Sequence, residues 1–175
     1  MEFKHNLKLL ISNNEIQEKI KVFAKEINEK YKNETLTVIT IMNGAVFFFA
    51  DLVKLFEMPI KMDTIVVSSY SGTNSTKELK FHKKVIKPII EGQHVLIIED
   101  IIDTGITMTG VYEYLNNLNP KTLDIVVLAT KKENHPEFKY PYKALFEVPN
   151  KFIVGYGFEI DDLYRQLDCV YTVED

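Results

Sequence analysis

Three short runs of apolar and β-branched residues recur along the chain: LTVITIM at 36–42, HVLIIED at 94–100 and LDIVVLAT at 123–130. They offer no polar face to water, so they read as strands buried on both sides, and stretches with helical spacing separate them. Strands that alternate with helices build βαβ units and a mostly parallel sheet. This alternation constrains the fold more than any other feature. It also locates function, because ligands of open α/β sheets bind beyond the carboxyl ends of the strands. The positions that matter are therefore those after Met42, Tyr70, Glu99 and Thr130.

The remaining segments fit the same frame. Asn13 and Asn14 precede Ile16, Ile20, Phe23 and Ile27, the spacing of a capped amphipathic helix that runs to about Tyr31. Asn43–Gly44 breaks the first strand, and AVFFFADLVKLFE reads as a helix ending before Pro59. IKMDTIVVSSY, residues 60–70, is a further strand, and SGTNSTKE at 71–78 reads as a mobile loop. LKFHKKVI alternates weakly. A helix follows Gly105 and ends near Asn117 and Asn119–Pro120, while KALFEVP and KFIVGYG suggest two more strands.

Composition narrows the class. A chain of 175 residues, 46% hydrophobic and without repeats or a linker-like stretch, suits one domain. A net charge of −4 and a pI near 5.6 give no global basic field, which argues against nucleic-acid and anionic-membrane partners. The most apolar stretch, residues 39–55, contains Asn43, Gly44, Asp51 and Lys54 and is a poor membrane span. A single cysteine, Cys169, excludes an internal disulfide framework, and the N-terminus lacks a signal-type apolar core. A cytoplasmic protein is the expectation. Of the 21 basic residues only Arg165 is an arginine.

Chemistry concentrates in VLIIEDIIDTGITMTG, residues 95–110. A strand delivers two adjacent carboxylates, Glu99 and Asp100; then Asp103-Thr104-Gly105-Ile106-Thr107 opens a helix. A helix start presents unpaired N–H groups and a positive dipole end, which suits a phosphate. Gly105 allows close backbone approach, and Thr104 and Thr107 add hydroxyl donors. The two acids would repel a phosphate and suit neutral hydroxyls or a divalent cation. Taken alone, the segment also fits a solvated strand end with Asp103 as an N-cap. Asp-Thr-Gly also occurs in aspartic proteases, whose chemistry needs a second carboxylate sharing a proton. An acidic strand end would equally serve a receiver domain, which leaves the Thr-Gly-x-Thr turn without a task.

VLIIEDIIDTGITMT resembles the phosphoribosyl-pyrophosphate signature of type I phosphoribosyltransferases, and from about Leu36 to Leu167 the chain resembles the 6-oxopurine (hypoxanthine-guanine) branch. The resemblance implies an α/β fold with a mostly parallel central sheet flanked by helices. It implies one domain over 1–175, with a core at about 36–130 and a small hood from about 1–12 and 131–175. Glu99, Asp100, Asp103, Thr104, Gly105, Ile106 and Thr107 then bind the phosphoribosyl group and its 5′-phosphate, and Asp103 is the expected catalytic acid/base. IMNGAVFFFADL matches the pyrophosphate loop, with Asn43, Gly44 and Arg165 as pyrophosphate ligands and a cis peptide expected at Met42–Asn43. Ser69–Tyr70 matches the start of the lid. Lys131, Phe152 and Ile153 match the purine-binding positions.

Magnesium is the implied cofactor, held by Glu99, Asp100 and Glu159. At Glu159 the family usually has aspartate, and at Ile106 some relatives carry a polar or basic residue. The implied partners are phosphoribosyl pyrophosphate and a 6-oxopurine base, with a homodimer or homotetramer as the assembly. A ligand-binding regulator of nucleic acid is the rival from another class; the acidic charge and the absence of a nucleic-acid module in this sequence weigh against it. A xanthine- or pyrimidine-directed transferase is the rival among enzymes, and the Lys131–Phe152 spacing favours 6-oxopurines.

Overall fold

A computed structural model describes residues 5–69 and 79–174. In chain order its elements are β1 (Asn6–Ile11), α1 (Asn13–Lys30), β2 (Leu36–Met42), α2 (Val46–Val53), β3 (Ile60–Ser69), β4 (Leu79–Lys83), α3 (Lys87–Ile90), β5 (His94–Ile102), α4 (Ile106–Asn116), β6 (Thr122–Thr130), β7 (Lys143–Glu147), β8 (Ile153–Val154) and β9 (Val170–Glu174). A six-stranded sheet runs in the order β4-β3-β2-β5-β6-β7. All its pairs are parallel except the edge pair of β3 and β4. A second sheet, β1-β9-β8, is antiparallel.

The unbroken apolar runs now have their reason. In β2, Leu36 and Val38 face one hydrophobic cluster and Ile39 and Ile41 face another, and β5 divides Leu96 and Ile98 from Val95 and Ile97 in the same way. Each strand is covered on both faces, so alternation has nothing to mark. The first cluster takes Ile16, Ile20, Phe23 and Ile27 of α1 and Phe48 and Leu52 of α2; the second takes Met108, Val111 and Leu115 of α4. Ile11, Ile153, Tyr156, Phe158 and Val170 belong to the first cluster, so the small sheet shares the core of the large one.

Several boundaries differ from expectation. Ser12, not an asparagine, caps α1: its Oγ accepts from Glu15 N, and Glu15 Oε2 accepts from Ser12 N at 2.8 Å, a capping box. Asn13 instead ties to the far end of the chain, its side-chain amide donating to Asp168 O at 2.9 Å. β7 pairs with β6, so the large sheet extends to Glu147 rather than stopping near residue 130. KFIVGYG gives only the two-residue β8, because Gly155, Tyr156 and Gly157 take positive φ and bend the chain. β1, α3 and β9 carry too few periodic residues to stand out. Tyr70 and the loop at 71–78 lie outside the described residues. Among the described residues no helix is long and apolar enough to cross a membrane.

Candidate active site

The carboxyl ends of β2, β3 and β5 open under the small sheet into a cleft of about 320 Å³. Gly44, Glu99, Asp100, Asp103, Thr107, Lys131, Phe152, Ile153, Glu159 and Arg165 all line it. A second cavity of about 170 Å³ lies between the end of β5 and the start of α4, and Glu99, Asp100, Asp103, Thr104, Gly105 and Thr107 line it. Residues expected to handle ribose, phosphate, pyrophosphate and base are thus gathered at one place. Asn43 and Ile106 line neither cavity: Asn43 is exposed with its carbonyl accepting from Val46 N, and Ile106 is the first residue of α4. Ser69 ends β3, where its backbone pairs with Leu79 of β4.

The turn into α4 depends on Gly105. Its φ of +77° is left-handed, and a Cβ there would stand 3.1 Å from the Phe138 ring. A side chain would therefore be strained and crowded at once. α4 starts beside the second cavity, which Thr104, Gly105 and Thr107 line, and the unpaired N–H groups of a helix start suit an anion there.

Asp103 follows the last residue of β5 and is held from two sides. Lys131 Nζ lies 3.0 Å from its Oδ2, and Asn134 Nδ2 donates to its Oδ1 at 2.6 Å. Burial alone would raise its pKa; the hydrogen bonds from Asn134 and Lys131 and the charges of Lys131 and His135 outweigh this and hold it below the usual range. Lys131 itself is only 9% exposed, an unusual position for a lysine and one that its ion pair explains.

Glu99 and Asp100 are the opposite case. They sit inside β5, and each accepts one backbone N–H: Asp100 N donates to Glu99 Oε1 at 2.9 Å, and Ile101 N to Asp100 Oδ1 at 2.7 Å. No cation forms an ion pair with either among the described residues. Burial, together with the charge of Asp100, pushes Glu99 well above the usual carboxylate range, and burial raises Asp100 despite its hydrogen bonds with Glu99 and the Ile101 N–H and the charge of Arg165. Two desolvated carboxylates without an ion-pair partner, offering oxygen donors only, fit a hard divalent cation that brings further ligands from its substrate. The third expected metal ligand does not join them. Glu159 accepts from Asp162 N at 2.6 Å and lies 3.7 Å from Arg165 Nη2, and no cluster of three metal-ligating side chains forms among the described residues.

The side of the cleft expected to take pyrophosphate is assembled by close backbone contacts. The Met42–Asn43 peptide is cis, as the resemblance implies. A Cβ on Gly44 would fall 1.8 Å from Asp100 Oδ2, and a Cβ on Gly157 would fall 1.8 Å from Gly44 O. Only two glycines let this turn slide between β5 and the loop after β8. Arg165 Nη1 donates to Gly157 O at 2.7 Å, which sets the guanidinium across the cleft from Asp100. On the base side Phe152 is 74% exposed at the rim, an open aromatic face.

Sequence reasoning missed Asn134, Gly157 and the Asp51–Tyr156 contact. Tyr156 Oη donates to Asp51 Oδ2 at 2.7 Å, and Gln17 Nε2 donates to the same oxygen at 2.8 Å, tying the loop after β8 to α1 and α2. The Gly-Tyr-Gly spacing could have flagged that loop; nothing set Asn134 apart from the other asparagines.

A helix start suited to a phosphate, beside acids suited to sugar hydroxyls or a cation, fits a phosphoribosyltransferase. Residues 10–161 match the phosphoribosyl transferase domain, and the chain belongs to that family. Within it, the chain is 40% identical over 167 residues to the hypoxanthine-guanine-xanthine phosphoribosyltransferase of Tritrichomonas foetus, covering 93% of this chain and 89% of that protein. It is 40% identical over 172 residues to the hypoxanthine-guanine phosphoribosyltransferase of Aquifex aeolicus, covering 97% and 96%. The fold matches the hypoxanthine phosphoribosyltransferase of Trypanosoma cruzi in complex with the product IMP, with a TM-score of 0.88 and 34% identity over 99% of this chain and 97% of that one.

Proposed function

We propose that this protein transfers the 5-phosphoribosyl group of phosphoribosyl pyrophosphate to hypoxanthine or guanine, giving IMP or GMP and pyrophosphate in purine salvage. The observation that carries this reading is the single cleft into which Asp103, Lys131, Phe152, Arg165 and the Glu99–Asp100 pair all face.

The 5′-phosphate rests on the N-terminus of α4, with Thr104 and Thr107 as hydroxyl donors. Glu99 and Asp100 take the ribose hydroxyls, and their negative charge favours the oxocarbenium-like sugar of the transition state. Glu99 and Asp100 would also hold magnesium, which would supply charge neutralisation for a diphosphate leaving group. Arg165 and the Asn43–Gly44 turn receive that diphosphate; a planar, always charged fork suits it better than lysine. Phe152 stacks on the base, and the backbone of Ile153 faces its edge. Lys131 donates to the 6-oxo group, a contact that adenine's amino group cannot accept. Asp103 accepts the proton that the five-membered ring loses as its nitrogen bonds to the sugar. Ser69 and Tyr70 begin the lid that excludes water. Cytoplasmic placement and a homodimer or homotetramer belong to the same reading.

The test is a nucleobase panel assayed with the ribosyl donor and magnesium. Turnover of hypoxanthine or guanine well above adenine, uracil and orotate is the expected result. Turnover confined to xanthine or a pyrimidine would overturn the choice of base.

A further inference from the structure

Asn134 lies in the short turn at 132–134 that follows Lys131, half-buried beside the cleft. Its side-chain amide has two N–H donors, and both are used: one to Asp103 Oδ1 at 2.6 Å, the other to Asn150 Oδ1 at 2.9 Å. Asn150 stands two residues before Phe152, at the foot of the segment that carries Phe152 and Ile153. One amide therefore joins the acid at the start of the phosphate turn to the wall of the base site.

We propose that Asn134 is the positioning residue for Asp103, the group that keeps this carboxylate aimed at the base and couples it to the loop that presents Phe152. The inference rests on the reading of Asp103 as the proton acceptor. In the structure the two oxygens of Asp103 are shared between two donors. Lys131 occupies Oδ2 at 3.0 Å, and that lysine is also the donor assigned to the 6-oxo group. A base that draws Lys131 to itself frees Oδ2 for the ring N–H and leaves the carboxylate without its ionic partner. Asn134 is the donor that remains. By holding Oδ1 it fixes the rotamer, so that Oδ2 points into the cleft at the moment the proton moves. A carboxylate on a half-exposed turn has no packing to do this work, and small errors in aim are costly in such a step.

Two variants separate this role from support of the turn. Asn134→Ala removes the side chain, and Asn134→Asp keeps its shape but has no N–H to donate. Both are expected to lower kcat by roughly ten- to hundredfold, with KM for the ribosyl donor within about twofold of the parent. Asn134→Gln, which can reach the same oxygen, should recover part of the loss. Asn134→Ala should lower kcat little further when placed on Asp103→Asn, because no proton acceptor is left to aim. Unchanged kcat in Asn134→Asp, or losses that multiply in full on the Asp103→Asn background, would overturn the proposal. So would a fall in kcat matched by a fall in the folded fraction measured by circular dichroism. A parent protein inactive on every 6-oxopurine would instead remove the reading of the site, and this inference with it.

Discussion

Glu99 and Asp103 stand four residues apart where one strand runs out into one turn, and the protein treats their carboxylates in opposite ways. Asp103 is half exposed and doubly partnered, so its charge is supported and its pKa is held down. Glu99 is buried beside Asp100, without a cation, and its pKa is driven up. The difference teaches what each end of the site awaits. On the proposed reading, Asp103 becomes available as a base once Lys131 turns to the substrate. The Glu99–Asp100 pair is incomplete, and becomes comfortable only when positive charge arrives with the donor, as an ion or as the developing cation of the sugar.

The sharpest way to break this contrast is Asp103→Asn. It retains shape and the neighbouring donors but removes the proton acceptor, so kcat should fall about 100-fold or more. The fold should be kept, because the asparagine oxygen can still accept from Lys131, but the melting temperature should fall by a few degrees as that buried lysine loses its counter-charge. Normal turnover in steady-state assays would return Asp103 to a structural cap.

Arg165→Lys probes the pyrophosphate side. Lysine cannot both grip Gly157 O and offer a planar fork, so KM for the ribosyl donor should rise about tenfold while kcat changes less. An unchanged donor KM would make this lone arginine a compositional accident.

The smallest effect is thermodynamic. Glu99 has its folded-state pKa raised, so the folded protein binds more protons than the unfolded chain between the two values. The resulting penalty is absent below the unfolded value, near 4.3, and grows as pH rises toward and through the folded one. Glu99→Gln should therefore raise the melting temperature of the protein alone by about 2 °C or more at pH 8. At pH 4 the variant and parent should coincide. The same variant should lose the thermal stabilisation that magnesium and the ribosyl donor give the parent. Greater stability of the parent at pH 8 would mean that Glu99 is already paired.

Much of this was legible in the sequence. The runs at 36–42, 94–100 and 123–130 became β2, β5 and β6, three adjacent inner strands, because burial on both faces leaves an uninterrupted apolar signature. The turn at 103–107 was legible for a chemical reason: acid, hydroxyl and glycine at a strand-to-helix junction serve few purposes. The contacts that close the site were not. The passage of Gly44 between Asp100 and Gly157 joins residues far apart in the chain, and each glycine alone looks like an ordinary turn. Asn134 owes its importance to where β6 ends relative to β5, which is a fact of sheet order. Glu159 shows the converse. Its motif was visible, but the positive-φ bend at Asp161 and Asp162 turns it toward a backbone N–H and Arg165 rather than toward Glu99 and Asp100.

The contrast between the two acidic sites is open to direct observation. With side-chain carboxyl carbons labelled in Asp and Glu, an NMR titration of the protein alone follows each group through its own transition. Asp103 should titrate below the usual aspartate range, and Glu99 well above the usual glutamate range. Added magnesium and pyrophosphate should bring Glu99 down toward ordinary values. Ordinary midpoints for both groups in the protein alone, or Glu99 titrating below Asp103, would contradict the division of roles proposed for this site.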